Sequence, residues 1–156
     1  RLNSIIHRSR LTSRFVSMFY GELDRAGTLT YVNAGHPSPI FVSRHGEDCS
    51  LLSGGAVLGP LADVTYERGF ATLTPGDLVV LFTDGIIEAP GGEGDDPSQE
   101  YGIDRLIAVV RDHQKEPAEE IVREIFESVE RHCGTDRLND DRTVMVVKRV
   151  ESSAAV

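Results

Sequence analysis

Between residues 14 and 83 the apolar side chains fall in short alternating runs. Between 103 and 133 they recur at every third or fourth position, and from 143 to 150 a final strand-like run follows. Alternation is the period of a strand, and a spacing of three to four is that of a helix. The chain therefore reads as several antiparallel strands, then two helices, then one strand that returns to the sheet, an α+β layered domain. The strand segments are "RFVSMFYGELD" (14–24), "TLTYVNAG" (28–35), "SPIFVSR" (38–44), "CSLLS" (49–53), "TYERGFATL" (65–73), "DLVVLFT" (77–83) and "TVMVVKRV" (143–150). The first two flank "RAG" and form a β-hairpin. "GGAVLGPL" (54–61) reads as a loop, and Pro75-Gly76 suits the centre of a type II turn. Helical stripes run through Ile103, Leu106, Ile107 and Val110, and through Ile121, Val122, Ile125, Phe126 and Val129. Residues 1–13 look like the end of a helix.

A length of 156 residues fits one domain with a real core. The net charge of −9 argues against nucleic acid and anionic membrane as partners. The longest apolar runs are strand-sized, so no membrane-spanning helix is expected. Cys49 and Cys133 make neither a CxxC pair nor a disulfide framework, which favours free thiols in a reducing, cytoplasmic setting. No N-terminal stretch has a signal-peptide layout, and the start at Arg1 rather than Met leads to the expectation that the sequence is a piece of a longer protein.

Chemistry concentrates at two places. "VVLFTDG" (79–85) runs an apolar strand straight into Asp84, and "NDDRTVMVV" (139–147) sets Asp140 and Asp141 before another apolar strand. If the two strands are antiparallel neighbours, Asp84 meets Asp140 or Asp141 at one edge of the sheet. Clustered carboxylates resist ionising together, and a hard divalent cation such as Mg²⁺ or Mn²⁺ removes that conflict. Gly85 would let the chain turn sharply after the ligand. The rival reading is an ordinary Asp-Gly turn and an Asp that caps a loop. His36 in "NAGHP" is either a catalytic base or, more simply, a turn histidine with a satisfied ring. His132 and Cys133 end a helix, and a zinc pair there lacks evident partners. No HExxH, P-loop, GxSxG or GxGxxG pattern is present.

Six segments in order, "RFVSMFYGELD", "YVNAGHPSPI", "GGAVLG", "LTPGDLVVLFTDGIIEA", "YGIDRL" and "NDDRTVMVV", resemble the bacterial SpoIIE/RsbU-type phosphatases, a branch of the PP2C-like (PPM) family. The resemblance covers 1–150 as a partial phosphatase domain and leaves 151–156 as a tail. It implies a PP2C-like β-sandwich flanked by helices, here N-terminally truncated, because the family's two earlier acidic motifs are absent. It makes Asp84 and Asp140 metal ligands in a two-cation Mn²⁺ or Mg²⁺ site, gives Asp141 a hydrogen-bonding role, and assigns the Asn-x-Gly turn of "NAGH" no catalysis.

The activity so implied is metal-dependent hydrolysis of phosphoserine or phosphothreonine on a bacterial regulatory protein. An anti-sigma-factor antagonist is the expected substrate, with a sensor domain upstream in the parent protein. The 156-residue piece alone is expected to be inactive, and a homodimer is compatible with the sequence. The rival is a phosphatase-like binding module that recognises a regulatory protein without turnover.

Overall fold

The computed structural model describes residues 1–9, 15–46, 48–91, 99–134 and 141–151. The chain divides into two compact units, one made of Arg1–Ser38 with Ser50–Leu73 and the other of Pro39–Cys49 with Thr74–Val156.

In the first unit a short helix α1 (Leu2–Arg8) precedes a hairpin of β1 (Met18–Leu23) and β2 (Thr28–Ala34). The strands pair antiparallel from Met18 opposite Ala34 to Leu23 opposite Leu29. Asp24 closes the turn by accepting the Thr28 N–H at 2.8 Å, and Gly27 adopts a positive φ of 94°. Along its other edge β2 takes two partners. Antiparallel β6 (Gly69–Thr72) covers residues 28–31, and β5 (Gly54–Gly55) pairs in parallel with Asn33 and Ala34. β5 corrects the loop expected at 54–61. A Cβ on Gly54 would lie 1.7 Å from the Asn33 carbonyl oxygen, so only glycine permits the approach. It also corrects the expectation of an all-antiparallel strand set. The strand expected over 65–73 is confined to 69–72.

The second unit carries the sheet β4-β3-β7-β8, formed by β4 (Cys49–Ser50), β3 (Ile40–Val42), β7 (Leu78–Phe82) and β8 (Val144–Lys148). β7 is antiparallel to both neighbours, with Val80 opposite Ile40 on one side and Val146 on the other. Among the described residues, the α-helices α2 (Asp84–Ile87), α3 (Gly102–Asp112) and α4 (Ala118–Cys133) lie between β7 and β8. Leu106 and Val110 of α3 and Ile121, Ile125 and Val129 of α4 are buried with Ile40, Val42, Leu78, Val80 and Phe82 in one core. Ile103, expected on the same stripe, stays 37% exposed at the first turn of α3. Both cysteines are free thiols.

The turn into β7 is fixed by one carboxylate. Asp77 is buried, and its Oδ2 accepts the Thr74 backbone N–H at 2.6 Å and the Thr74 hydroxyl at 2.7 Å. Its Oδ1 accepts the Arg44 backbone N–H at 2.6 Å. Burial pushes the Asp77 carboxyl up, but the Arg44 and Thr74 hydrogen bonds together outweigh it, so the group sits below the ordinary carboxylate value. Gly76 takes the positive φ of 97° expected after Pro75.

Asp77→Ala should destabilise the chain by about 1–3 kcal/mol at neutral pH, because it removes a buried, charged acceptor from three part-buried hydrogen bonds. Since the folded-state value lies below the unfolded one, ionised Asp77 stabilises fully above the ordinary value of about 3.9. That contribution is lost as pH falls through the depressed folded value. Urea denaturation of both proteins across this range checks the assignment, and an undiminished gap in strong acid would overturn it.

Candidate functional site

The site grows from the end of β7. Apolar residues carry the strand as far as Phe82, and the antiparallel register sets Phe82 opposite Val144. One residue on, the ladder continues outside the strand proper: the Thr83 N–H donates to the Thr143 carbonyl at 3.1 Å. The Thr83 hydroxyl then makes two further bonds. It donates to the Asp141 carbonyl at 2.9 Å and accepts the Thr143 N–H at 2.9 Å. Three bonds thus clamp the tip of β7 to the segment that leads into β8.

Thr83 occupies the N-cap position of α2 with an extended backbone, yet makes no side-chain cap. Its hydroxyl is already committed to β8. Asp84 is the first helical residue, exposed at the sheet edge, with Oδ1 accepting the adjacent Gly85 N–H at 3.0 Å. The chain changes direction by starting a helical turn, not by a glycine in a left-handed conformation. Gly85 is the buried second residue of α2 and has no positive φ, which corrects the role expected for it.

The two strands predicted to be neighbours are neighbours, and Asp84 and Asp141 lie on the joined ends. Asp141 is exposed and offers its carbonyl to Thr83. Asp140 lies outside the described residues, and so does its expected meeting with Asp84. Among the described residues, no three His, Cys, Asp or Glu side chains are grouped to hold a metal ion.

His36 belongs to the first unit, in a turn organised by Asn33. The buried Asn33 side chain accepts the His36 N–H at 2.8 Å and donates to the His36 carbonyl at 2.9 Å, while Gly35 takes φ 69°. "NAGH" is thereby accounted for as a turn whose backbone groups are satisfied. At the end of α4, His132 Nε2 lies 2.8 Å from the Gln99 carbonyl, and Cys133 Sγ accepts an Arg142 N–H at 3.3 Å.

The residue missed in sequence was Thr83. Its signal was the threonine directly before "DG" together with the threonine of "DDRT", a polar pair flanking two apolar strands at the ends that meet.

This architecture is that of a PP2C-like phosphatase domain. The structure of the SiaA PP2C domain of Pseudomonas aeruginosa matches with a TM-score of 0.74 at 23% identity, over 91% of this chain and 56% of that one. The phosphatase domain of SpoIIE from Bacillus subtilis, presoaked with Mn, matches with a TM-score of 0.61 at 19% identity, over 96% of this chain and 66% of that one. At these identities the likeness is one of fold.

The family model for Stage II sporulation protein E (SpoIIE) matches residues 1–150, and the chain belongs to that family. Phosphoserine phosphatase RsbU of Bacillus subtilis (strain 168) is 29% identical over 152 residues, which is 95% of this chain and 43% of RsbU. The chain thus spans less than half the length of that relative.

Thr83→Val should remove both hydroxyl bonds and leave the Thr143 N–H without its acceptor, at a cost of about 1–2 kcal/mol. Thr83→Ser should recover most of it. Chemical denaturation of the three proteins checks this, and a valine variant as stable as wild type would show that the clamp contributes nothing.

Proposed function

We propose that the protein carrying this chain is a metal-dependent phosphatase that removes phosphate from phosphoserine or phosphothreonine of a bacterial regulatory protein. The observation that carries the reading is the exposed Asp84 carboxylate at the tip of an apolar, doubly paired strand, whose end is clamped through Thr83 to Asp141 and Thr143 before β8. The SpoIIE family membership and the name of the RsbU relative support the reaction class. The substrate we favour is an anti-sigma-factor antagonist, by resemblance to the same family.

The donor set fits a hard cation. Carboxylate oxygens are the preferred ligands of Mg²⁺ and Mn²⁺, and among the described residues Asp84 spends one oxygen on a single neighbouring N–H. Asp84 and Asp140 would hold the ion. When bound, such an ion lowers the pKa of a water and neutralises charge on phosphoryl oxygens.

The chain's own residues then have limited tasks. Asp84 supplies a negative ligand. Thr83 fixes the β7 end against residues 141–143, so that the carboxylate projects from rigid strands. No side-chain nucleophile is required. His36 is held by its backbone in the Asn33 turn, which suits a structural role.

The test is phosphate release from a phosphoserine protein at saturating Mn²⁺, by the longer parent protein. Asp84→Asn and Asp140→Asn should each lower turnover by about two orders of magnitude or more while keeping side-chain volume and fold. His36→Ala should stay within about threefold of wild type, since a metal-activated water needs no histidine base. Loss of turnover in His36→Ala with a near-normal Asp84→Asn would replace the metal reading with a histidine one. Tight binding of the phosphoprotein without any release would favour the binding module.

A further inference from the structure

At the opposite end of β7 from Asp84, the second unit carries an open, solvent-facing cleft of about 470 Å³. Its lining includes Arg44, Lys115, Lys148 and Arg149, with Gln114 and a single carboxylate, Glu151. Four cations and one anion line it, in a chain whose net charge is −9, and the neighbouring Glu116 carboxylate also acts on Lys148.

The walls are held in place by bonds that do not depend on a ligand. Gly76 N–H donates to the Arg149 carbonyl at 2.8 Å, and Arg149 N–H donates to the Asp77 carbonyl at 2.9 Å, which carries the β7–β8 ladder into the cleft rim. The Lys148 ammonium donates to the Gln114 and Glu116 carbonyls at 2.7 and 2.6 Å, two of its three donors. Gln114 is bonded in turn to Arg111 and to the Gly76 carbonyl. At the mouth, the exposed Glu151 lies 3.7 Å from Arg44.

We infer that this cleft is a binding site for a small phosphate-bearing anion, separate from the Asp84 site. Arginine forks and lysine ammoniums suit phosphate oxygens. The named lining residues include no aromatic ring, so a nucleobase has no stacking platform. Size selection follows from the charge distribution. The field of the four cations reaches about one Debye length, ~8 Å at physiological salt, whereas a long polyanion would extend beyond it over an acidic surface. Glu151 acts as an internal competitor that the ligand displaces from Arg44.

The test is titration calorimetry of the whole 156-residue chain with pyrophosphate and, separately, inorganic phosphate, in low salt without divalent metal. Wild type should bind pyrophosphate, and affinity should fall as salt rises. Arg44→Gln with Lys115→Gln should weaken binding by about tenfold, since both charges are exposed and neither holds the core. Glu151→Gln should tighten it by about two- to threefold. Asp84→Asn should leave it unchanged, which separates this site from the proposed phosphatase centre. Inorganic phosphate binding as tightly as pyrophosphate would identify a single-phosphate site; a clear preference for pyrophosphate would identify a di-anionic ligand class; either supports the inference. Binding that is lost in Asp84→Asn, is indifferent to Arg44→Gln with Lys115→Gln, or occurs for a poly-glutamate peptide but not for pyrophosphate would overturn it.

Discussion

The pairing of β7 on both edges is the constraint on which the second unit depends. β3 lies along one side and β8 along the other, and Leu78, Val79, Val80 and Phe82 are all buried. A strand enclosed in this way has no room for polar side chains along its length, so its carboxylates stand just beyond its ends. They meet opposite fates. Asp77 is buried and fully engaged by Thr74 and Arg44, so it serves the turn. Asp84 is exposed and accepts only the N–H beside it among the bonds described.

The clamp at Thr83 converts that exposure into a defined position. An Asp on a free loop could point in many directions. Here the preceding residue makes three hydrogen bonds to a segment 58 to 60 residues away in sequence, and the following residues start a helical turn. The backbone that carries Asp84 is thus fixed before it by Thr83 and after it by the first turn of α2. The same economy shows in the first unit, where Asn33 satisfies both backbone groups of His36 while its own strand pairs with β1 and β5.

Much of this was legible because it rests on apolar periodicity. β7 and β8 announce themselves as runs of Val, Leu, Met and Phe, and the stripe of Ile121, Ile125 and Val129 predicts the buried face of α4 without any template. What escaped has little or no side-chain pattern. β5 consists of two glycines, whose value lies in the space they leave, Gly54 beside Asn33 and Gly55 beside Thr65 and Tyr66. α2 is four residues long and begins with Asp-Gly, a pair that also marks turns. The bond between Asp77 and Arg44 spans 33 residues, a distance over which no local spacing can speak. The basic cleft was invisible for a related reason: its cations come from separate stretches of the chain, while the composition as a whole is acidic.

The long reach between Thr83 and the start of β8 also governs the order in which the unit can be completed. The β1–β2 hairpin closes over a turn of a few residues, whereas β8 must wait for α3 and α4 to be synthesised before it can join β7. Non-local pairings of this kind form late, because the loop entropy is lost before the contacts return anything. Until then β7 presents one unpaired, strongly apolar edge, the kind of surface to which other strands adhere. A nascent chain is therefore at its most vulnerable to misassociation just before β8 reaches β7.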